Sequence, residues 1–202
     1  GVATPFGAPS GWVISGQFTD QDRTLKINQP KKGALWYVLN QSGYALQIAD
    51  KGRFAGVEVS REYLDSSGKP VLQVALGAEL EVRLKLRALE RGYLSNLAII
   101  DLLPGGFELV EQPVASTGEA VSSIQDRLRI EGSTLDLVYL DQREDRVVLY
   151  ANINADISEY RYRIKAVSAG KFKTGALSAR SMYERGVEAL LPGGTQLSVL
   201  AP

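Results

Sequence analysis

At 202 residues and 21.9 kDa the chain has room for one large domain, or one medium domain with an appendage, and its 45% hydrophobic content is that of an ordinary globular protein. Its 23 basic and 23 acidic side chains cancel, which removes the electrostatic case for nucleic acid or for an anionic membrane surface. The absence of Cys and His excludes, within this chain, disulfides, thiolate nucleophiles, thioesters, Cys- or His-ligated metals and serine triads with a histidine base, so no cofactor is expected.

No apolar run approaches the roughly 18 residues that cross a bilayer, so no direct membrane insertion is expected. A chain that opens on Gly1 and not on Met is expected to be part of a longer polypeptide whose targeting signal lies elsewhere. Residues 1–10, with Pro5, Pro9 and glycines, read as a linker. Short strands are predicted over 12–18, 24–27 and 35–39, too few to bury a core alone, so another domain should cover their apolar face. The polar stretch 47–56 marks a boundary. It leaves 1–53 as linker plus a partial β region and 54–202 as the main domain.

The main domain opens on a strand over Val57 to Leu64, closed by an Asp65-Ser66-Ser67-Gly68 turn. Leu80, Val82, Leu84, Leu86 and Ala88 then alternate with Glu79, Glu81, Arg83, Lys85 and Arg87, a period-2 strand with one face in the core and one in water. The run from Asn96 to Leu102 carries apolar residues on both parities, which predicts a mid-sheet strand covered on both faces. It runs into Leu103-Pro104-Gly105-Gly106-Phe107-Glu108, where Pro104 suits the first central position of a β-turn and Gly105 the positive φ of a type II turn. Val121, Ile124 and Leu128 fall at helical spacing, predicting one short helix over Glu119 to Ile130. Further strands are predicted over 135–140, 146–153, 159–168 and 196–200, with strand-like pieces between Lys171 and Arg185. Leu-Leu-Pro-Gly-Gly occurs at 102–106 and again at 190–194 with unmatched flanks, which reads as turn chemistry used twice. About seven short strands at sandwich-like spacing predict an all-β, antiparallel β-sandwich with a small β appendage and at most one short helix.

Two clusters invite a chemical reading. Asp141-Gln142-Arg143-Glu144-Asp145-Arg146 gathers three carboxylates, which could serve calcium or a glycosidase pair. The two arginines oppose a divalent cation, however, and a tight turn splays carboxylates into solvent, so a hairpin fixed by its own side-chain bonds is the preferred reading. In Glu159-Tyr160-Arg161-Tyr162-Arg163 the alternation places Tyr160 and Tyr162 inward and the bases outward, favouring core packing over single-stranded nucleic acid. Gly105-Gly106 lacks the remaining residues of a phosphate-binding loop.

Taken in order and spacing, Leu103-Pro104-Gly105-Gly106-Phe107-Glu108, the segment from Asp141 through Arg143, Glu144 and Asp145 to Arg146, Tyr160-Arg161-Tyr162-Arg163, Gly170-Lys171-Phe172 and Ser181-Met182-Tyr183 resemble the carboxy-terminal macroglobulin domain of bacterial alpha-2-macroglobulins. The upstream run from Leu35 to Tyr44 is similar to the region that precedes that domain. The resemblance implies a seven-stranded macroglobulin-type (fibronectin- or immunoglobulin-like) sandwich with structural motif residues and no catalytic ones. It also implies a periplasmic or cell-envelope parent that cages proteases after bait cleavage. The implied partners are the remaining domains of the parent, target proteases reached through it, and envelope proteins. Two features depart from the family pattern: Thr174-Gly175-Ala176 stands where prolines are common, and 109–133 holds no Lys, so receptor binding is not carried over. Against this stands an adhesin-like or glycan-binding sandwich using the turn from Asp141 to Asp145.

Overall fold

The computed structural model describes residues 15–17, 24, 26, 36–40, 50–111 and 127–201. The chain divides into two units, Gly1–Tyr44 and Ala45–Pro202. In the first, the linker and the first two expected strands lie outside the described residues apart from 15–17, 24 and 26. Trp36 to Leu39, expected to form a strand, takes no regular structure, and all four side chains are exposed. A strand exists through its hydrogen-bonded neighbour, and none is paired with this run among the described residues.

The second unit is built of strands alone among the described residues. They are β1 (Arg53–Ala55), β2 (Val57–Leu64), β3 (Gln73–Ala75), β4 (Glu79–Ala88), β5 (Tyr93–Leu102), β6 (Phe107–Val110), β7 (Asp136–Gln142), β8 (Arg146–Asn154), β9 (Ser158–Ala166), β10 (Gly170–Lys173), β11 (Leu177–Ser181), β12 (Glu188–Leu191) and β13 (Gln196–Leu200). They form a six-stranded sheet in the order β1-β12-β11-β5-β8-β7, a four-stranded sheet β2-β4-β9-β6, and a three-stranded sheet β10-β13-β3. The two larger sheets bury their inward faces in one shared cluster. Leu80, Val82, Leu84, Leu86, Tyr160, Tyr162 and Ile164 face Leu97, Ile99, Val147, Leu149, Ala151 and Ala179 across it. This is the two-layer solution for sheets with one apolar face each.

The fold class read from the sequence holds, with corrections. Thirteen strands replace about seven, because β1, β3, β6, β10 and β12 span only three or four residues each, too short for alternation to show. Pairing is antiparallel except for β13 and β3, which run parallel with Val199 opposite Val74. β5 does lie mid-sheet, between β11 and β8, but is fully covered on one face only. Leu97, Ile99 and Asp101 are buried, while Ala98, Ile100 and Leu102 are half-buried on the other side. The expected helix lies outside the described residues except for 127–130, which are turn and irregular chain ending the segment, with Leu128 fully buried.

The turns explain the chain's punctuation. Asp65 closes β2 as expected: its carboxylate accepts from Ser67 Oγ at 2.7 Å and from the amides of Ser67 at 2.8 Å and Lys69 at 3.0 Å. The Ser67 hydroxyl and the Lys69 amide hold that carboxyl below its ordinary range. After β5 the positive φ falls on Gly106 at 76° and not on Gly105, so the turn is centred one residue later than Pro104 suggests. The second Leu-Leu-Pro-Gly-Gly repeats this, with φ of 109° at Gly194. β5 and β12, which lead into the two copies, flank β11 in the six-stranded sheet, and each copy carries the chain out of that sheet, to β6 and to β13 respectively. The same pentapeptide is used twice as a corner between layers.

Candidate functional site

Three of the motifs singled out in the sequence meet at one end of the sandwich. The Phe172 ring lies over the Gly105-Gly106 turn so closely that a Cβ on Gly106 would sit 2.3 Å from its Cζ, against 3.3 Å from its Cδ1 for Gly105. Phe107, buried beneath the turn, meets the same ring edge-to-face at 6.3 Å and 79°. Gly170, at φ 151°, also lies against the same ring, with a built Cβ 3.2 Å from its Cζ. The Gly106 carbonyl accepts from Val167 N at 2.9 Å, which ties the end of β9 to the corner. Pro104 is buried behind the turn, Leu103 half-buried, and Glu108 points to solvent.

The charged hairpin joins this corner through backbone alone, its Asp145 carbonyl accepting from the Leu103 amide at 2.9 Å. Its charged side chains pair within the turn, while Gln142 Nε2 donates to Glu111 Oε1, just after β6, at 2.9 Å. Arg143 Nε donates to Asp141 Oδ2 at 3.0 Å, and Arg146 Nε and Nη2 donate to Asp145 at 2.8 and 2.6 Å. The Arg146 hydrogen bonds hold the Asp145 carboxyl below the usual range. Glu144 is exposed. Among the described residues no group of three or more acidic side chains is placed to hold a metal ion. The arrangement is that of a self-satisfied hairpin.

β9 carries its tyrosines inward as the alternation requires. Tyr160 and Tyr162 are buried with ring centroids 6.2 Å apart, and Arg163 lies outside, 3.8 Å from Glu79. Tyr162 leads to a cluster that the sequence did not reveal. Its hydroxyl donates to Asp101 Oδ2 at 2.7 Å, and the other carboxylate oxygen binds Arg61 Nη1. The Arg61 side chain is only 4% exposed and Asp101 only 1%, so the ion pair crosses the dry interior from β2 to β5. Arg61 Nη2 donates to the Gly175 carbonyl at 2.6 Å, Nη1 lies 3.4 Å from the Leu102 carbonyl, and the guanidinium sits 5.3 Å from the centroid of the Tyr63 ring.

Burial pushes the Asp101 carboxyl above its ordinary range, against the pull of Arg61 and of the Tyr162 hydroxyl. Burial also works against the Arg61 charge, but Asp101 beside it holds the guanidinium protonated. The phenols of Tyr63 and Tyr162 are both pushed up, chiefly by desolvation. The signal available in the sequence was parity: Arg61 falls in step with Val57, Val59 and Tyr63, and Asp101 with Leu97 and Ile99. Pairing the two required the topology.

Met182 and Tyr183 stand apart, at the opposite end of β5. They occupy the β11–β12 loop, which is fixed by Met182 N donating to Asn96 O at 3.0 Å and by Ser181 Oγ accepting from the Glu184 amide at 3.1 Å. Asn96 itself takes φ 55° at the bulge between Leu94 and Leu97. Held by backbone, the two side chains remain 52% and 76% exposed. The same end presents Leu89 after β4, Tyr93 at the start of β5, and Ile157 before β9, all exposed.

Packed glycine corners, a self-paired hairpin and a buried ion pair belong to an all-β sandwich module. The chain belongs to the bacterial alpha-2-macroglobulin family: residues 56–185 match the model of the Bacterial Alpha-2-macroglobulin MG10 domain. It is 38% identical over 203 residues to an alpha-2-macroglobulin homolog of Yersinia pestis, covering 96% of this chain and 10% of that protein. To an alpha-2-macroglobulin of Pasteurella multocida it is 33% identical over 173 residues, covering 86% of this chain and 8% of the relative. The chain therefore spans about a tenth of the length of these relatives. The crystal structure of native Escherichia coli alpha-2-macroglobulin from domain MG7 to the C-terminus superposes with a TM-score of 0.61 at 22% identity, over 77% of this chain and 25% of that one, and bears on the fold alone.

Proposed function

We propose that this chain is a non-catalytic, carboxy-terminal macroglobulin domain of a bacterial alpha-2-macroglobulin-like protease inhibitor of the periplasm or cell envelope. It docks on the other domains of its own polypeptide and takes part in protease trapping only through them. The observation that carries the reading is the end of the sandwich formed by Leu89, Tyr93, Ile157, Met182 and Tyr183, where five large apolar side chains at strand ends and loops are 45–76% exposed. Single exposed apolar residues need no explanation, whereas a group of them at one end marks an interaction surface. Aromatic and Met side chains are also the types enriched where proteins meet. The relatives are about ten times longer than this chain, so the occupant is supplied in the same molecule and at high effective concentration.

The test is limited proteolysis of the full-length parent carrying Met182→Ser with Tyr183→Ser. Both positions are exposed, so the domain's own denaturation midpoint should stay where it is. Cleavage at the domain's junction with the rest of the parent should accelerate and protease protection should fall. Unchanged proteolysis and unchanged protection would leave the docking reading without support.

A further inference from the structure

The Arg61–Asp101–Tyr162 cluster is at odds with its surroundings. The inward positions of β4 are all apolar, and the buried side chains of β8 and β9 are apolar or tyrosine, yet an ion pair is set among them. Desolvating two charges costs more than their attraction usually returns, so such a pair seldom strengthens a fold beyond what packed apolar groups would do. Its geometry points elsewhere. The cluster ties the two sheets together, with Arg61 and Tyr162 in the four-stranded one and Asp101 in the six-stranded one. The guanidinium also reaches the Leu102 and Gly175 carbonyls, the last residue of β5 and the approach to β11.

That segment is packed to the limit. A Cβ on Gly175 would meet Leu102 Cβ at 2.3 Å, and one on Gly193 would meet the Thr174 carbonyl oxygen at 2.2 Å. Thus Thr174-Gly175-Ala176 lies between the two Leu-Leu-Pro-Gly-Gly corners, with its Gly175 carbonyl bound to the buried Arg61. A sheet-to-sheet interface made only of aliphatic side chains is tolerant of sliding, since any packing of similar volume is nearly as good. A directional, charge-assisted set of bonds is satisfied in a single arrangement.

We propose that Arg61, Asp101 and Tyr162 form a register pin: a conformational device that selects one alignment of the two sheets and holds the paired corners closed, without being the source of the domain's stability. The proposal is independent of the docking end and of the parent's activity. It separates two properties that are usually lost together.

The experiment compares the 202-residue chain with Arg61→Met and with the triple variant Arg61→Met, Asp101→Val, Tyr162→Phe, by urea denaturation and by amide hydrogen exchange. Arg61→Met leaves Asp101 without its counter-charge, and its midpoint should fall. In the triple variant nothing charged is left behind, so the midpoint should return to the unsubstituted value or exceed it. Exchange at the amides of Leu102, Leu103 and Gly194, which donate to the carbonyls of Ala176, Asp145 and Thr174, should nevertheless rise at least tenfold, with line broadening of the same residues in amide NMR spectra. A triple variant that is as destabilised as the single one, or that fails to fold, would make the cluster a source of stability and overturn the proposal. So would a triple variant that recovers both its midpoint and its corner protection.

Discussion

Gly106→Ala is the substitution most sharply specified by the structure. Two costs add. At φ 76° a residue with a Cβ is in the left-handed region, at about 1–2 kcal/mol. The new methyl would also lie 2.3 Å from Phe172 Cζ and 2.8 Å from its Cε1, so the ring must leave its place against Phe107. Overpacking of this kind costs about 1–3 kcal/mol, and the edge-to-face contact is worth about 0.5–1.5 kcal/mol of it. A total of about 3 kcal/mol lowers the melting temperature by roughly 6–12 °C for a domain of this size. The assay is urea and thermal denaturation of Gly106→Ala beside Gly105→Ala. Gly105 has no positive φ and a built Cβ 3.3 Å from the ring, so its substitution should cost under about 1 kcal/mol. Combining Gly106→Ala with Phe172→Leu should recover part of the loss and leave the φ cost, giving a coupling of about 1 kcal/mol or more. Equal effects at the two glycines, or no coupling to Phe172, would mean that neither the φ of Gly106 nor the Phe172 ring constrains this corner.

Asp101→Ala removes the counter-charge of Arg61 and the acceptor of Tyr162 at once, and should destabilise by about 3–5 kcal/mol in urea titrations. The raised phenols of Tyr63 and Tyr162 stay protonated in the folded chain beyond pH ~10, so their contribution to stability is complete below that pH and is lost as pH rises through their folded values. Accordingly, Tyr63→Phe and Tyr162→Phe should leave the 295 nm absorbance rise of the folded chain near pH 10 unchanged, and a loss of signal in either would contradict the burial argument. Asp141→Ala with Glu144→Ala should leave the denaturation midpoint where it is, because the hairpin's bonds are local and solvated. Sugar binding or hydrolysis by the chain that this pair of substitutions abolished would instead favour the glycan-binding reading of the turn.

Where the alternation is long, the sequence spells out the structure. β2 with its Asp65 turn, β4 with five inward aliphatic positions, and the β7–β8 hairpin all lie within a residue or two of their expected bounds. The inward placement of Tyr160 and Tyr162 followed from the same period. What escaped was set by contacts between distant segments. β12 and β3 are strands because β11 and β13 offer them partners, not because three or four residues carry a pattern. Gly106, and not Gly105, takes the positive φ where the Phe172 ring presses on the turn. Arg61 and Asp101 are each visible as odd members of an inward row, but which charge meets which is decided by how two sheets stack. The exposure of Met182 and Tyr183 was equally hidden, since a Ser-Met-Tyr run after a strand reads as well for core as for surface.

The docking end is tested most directly by hydrogen exchange of the intact parent protein against the 202-residue chain alone. Peptides covering Leu89–Tyr93, Ile157 and Met182–Tyr183 should exchange more slowly in the parent, while those covering the hairpin from Asp141 to Asp145 should exchange alike in both. Equal exchange at the Met182–Tyr183 end in the two proteins would contradict docking there.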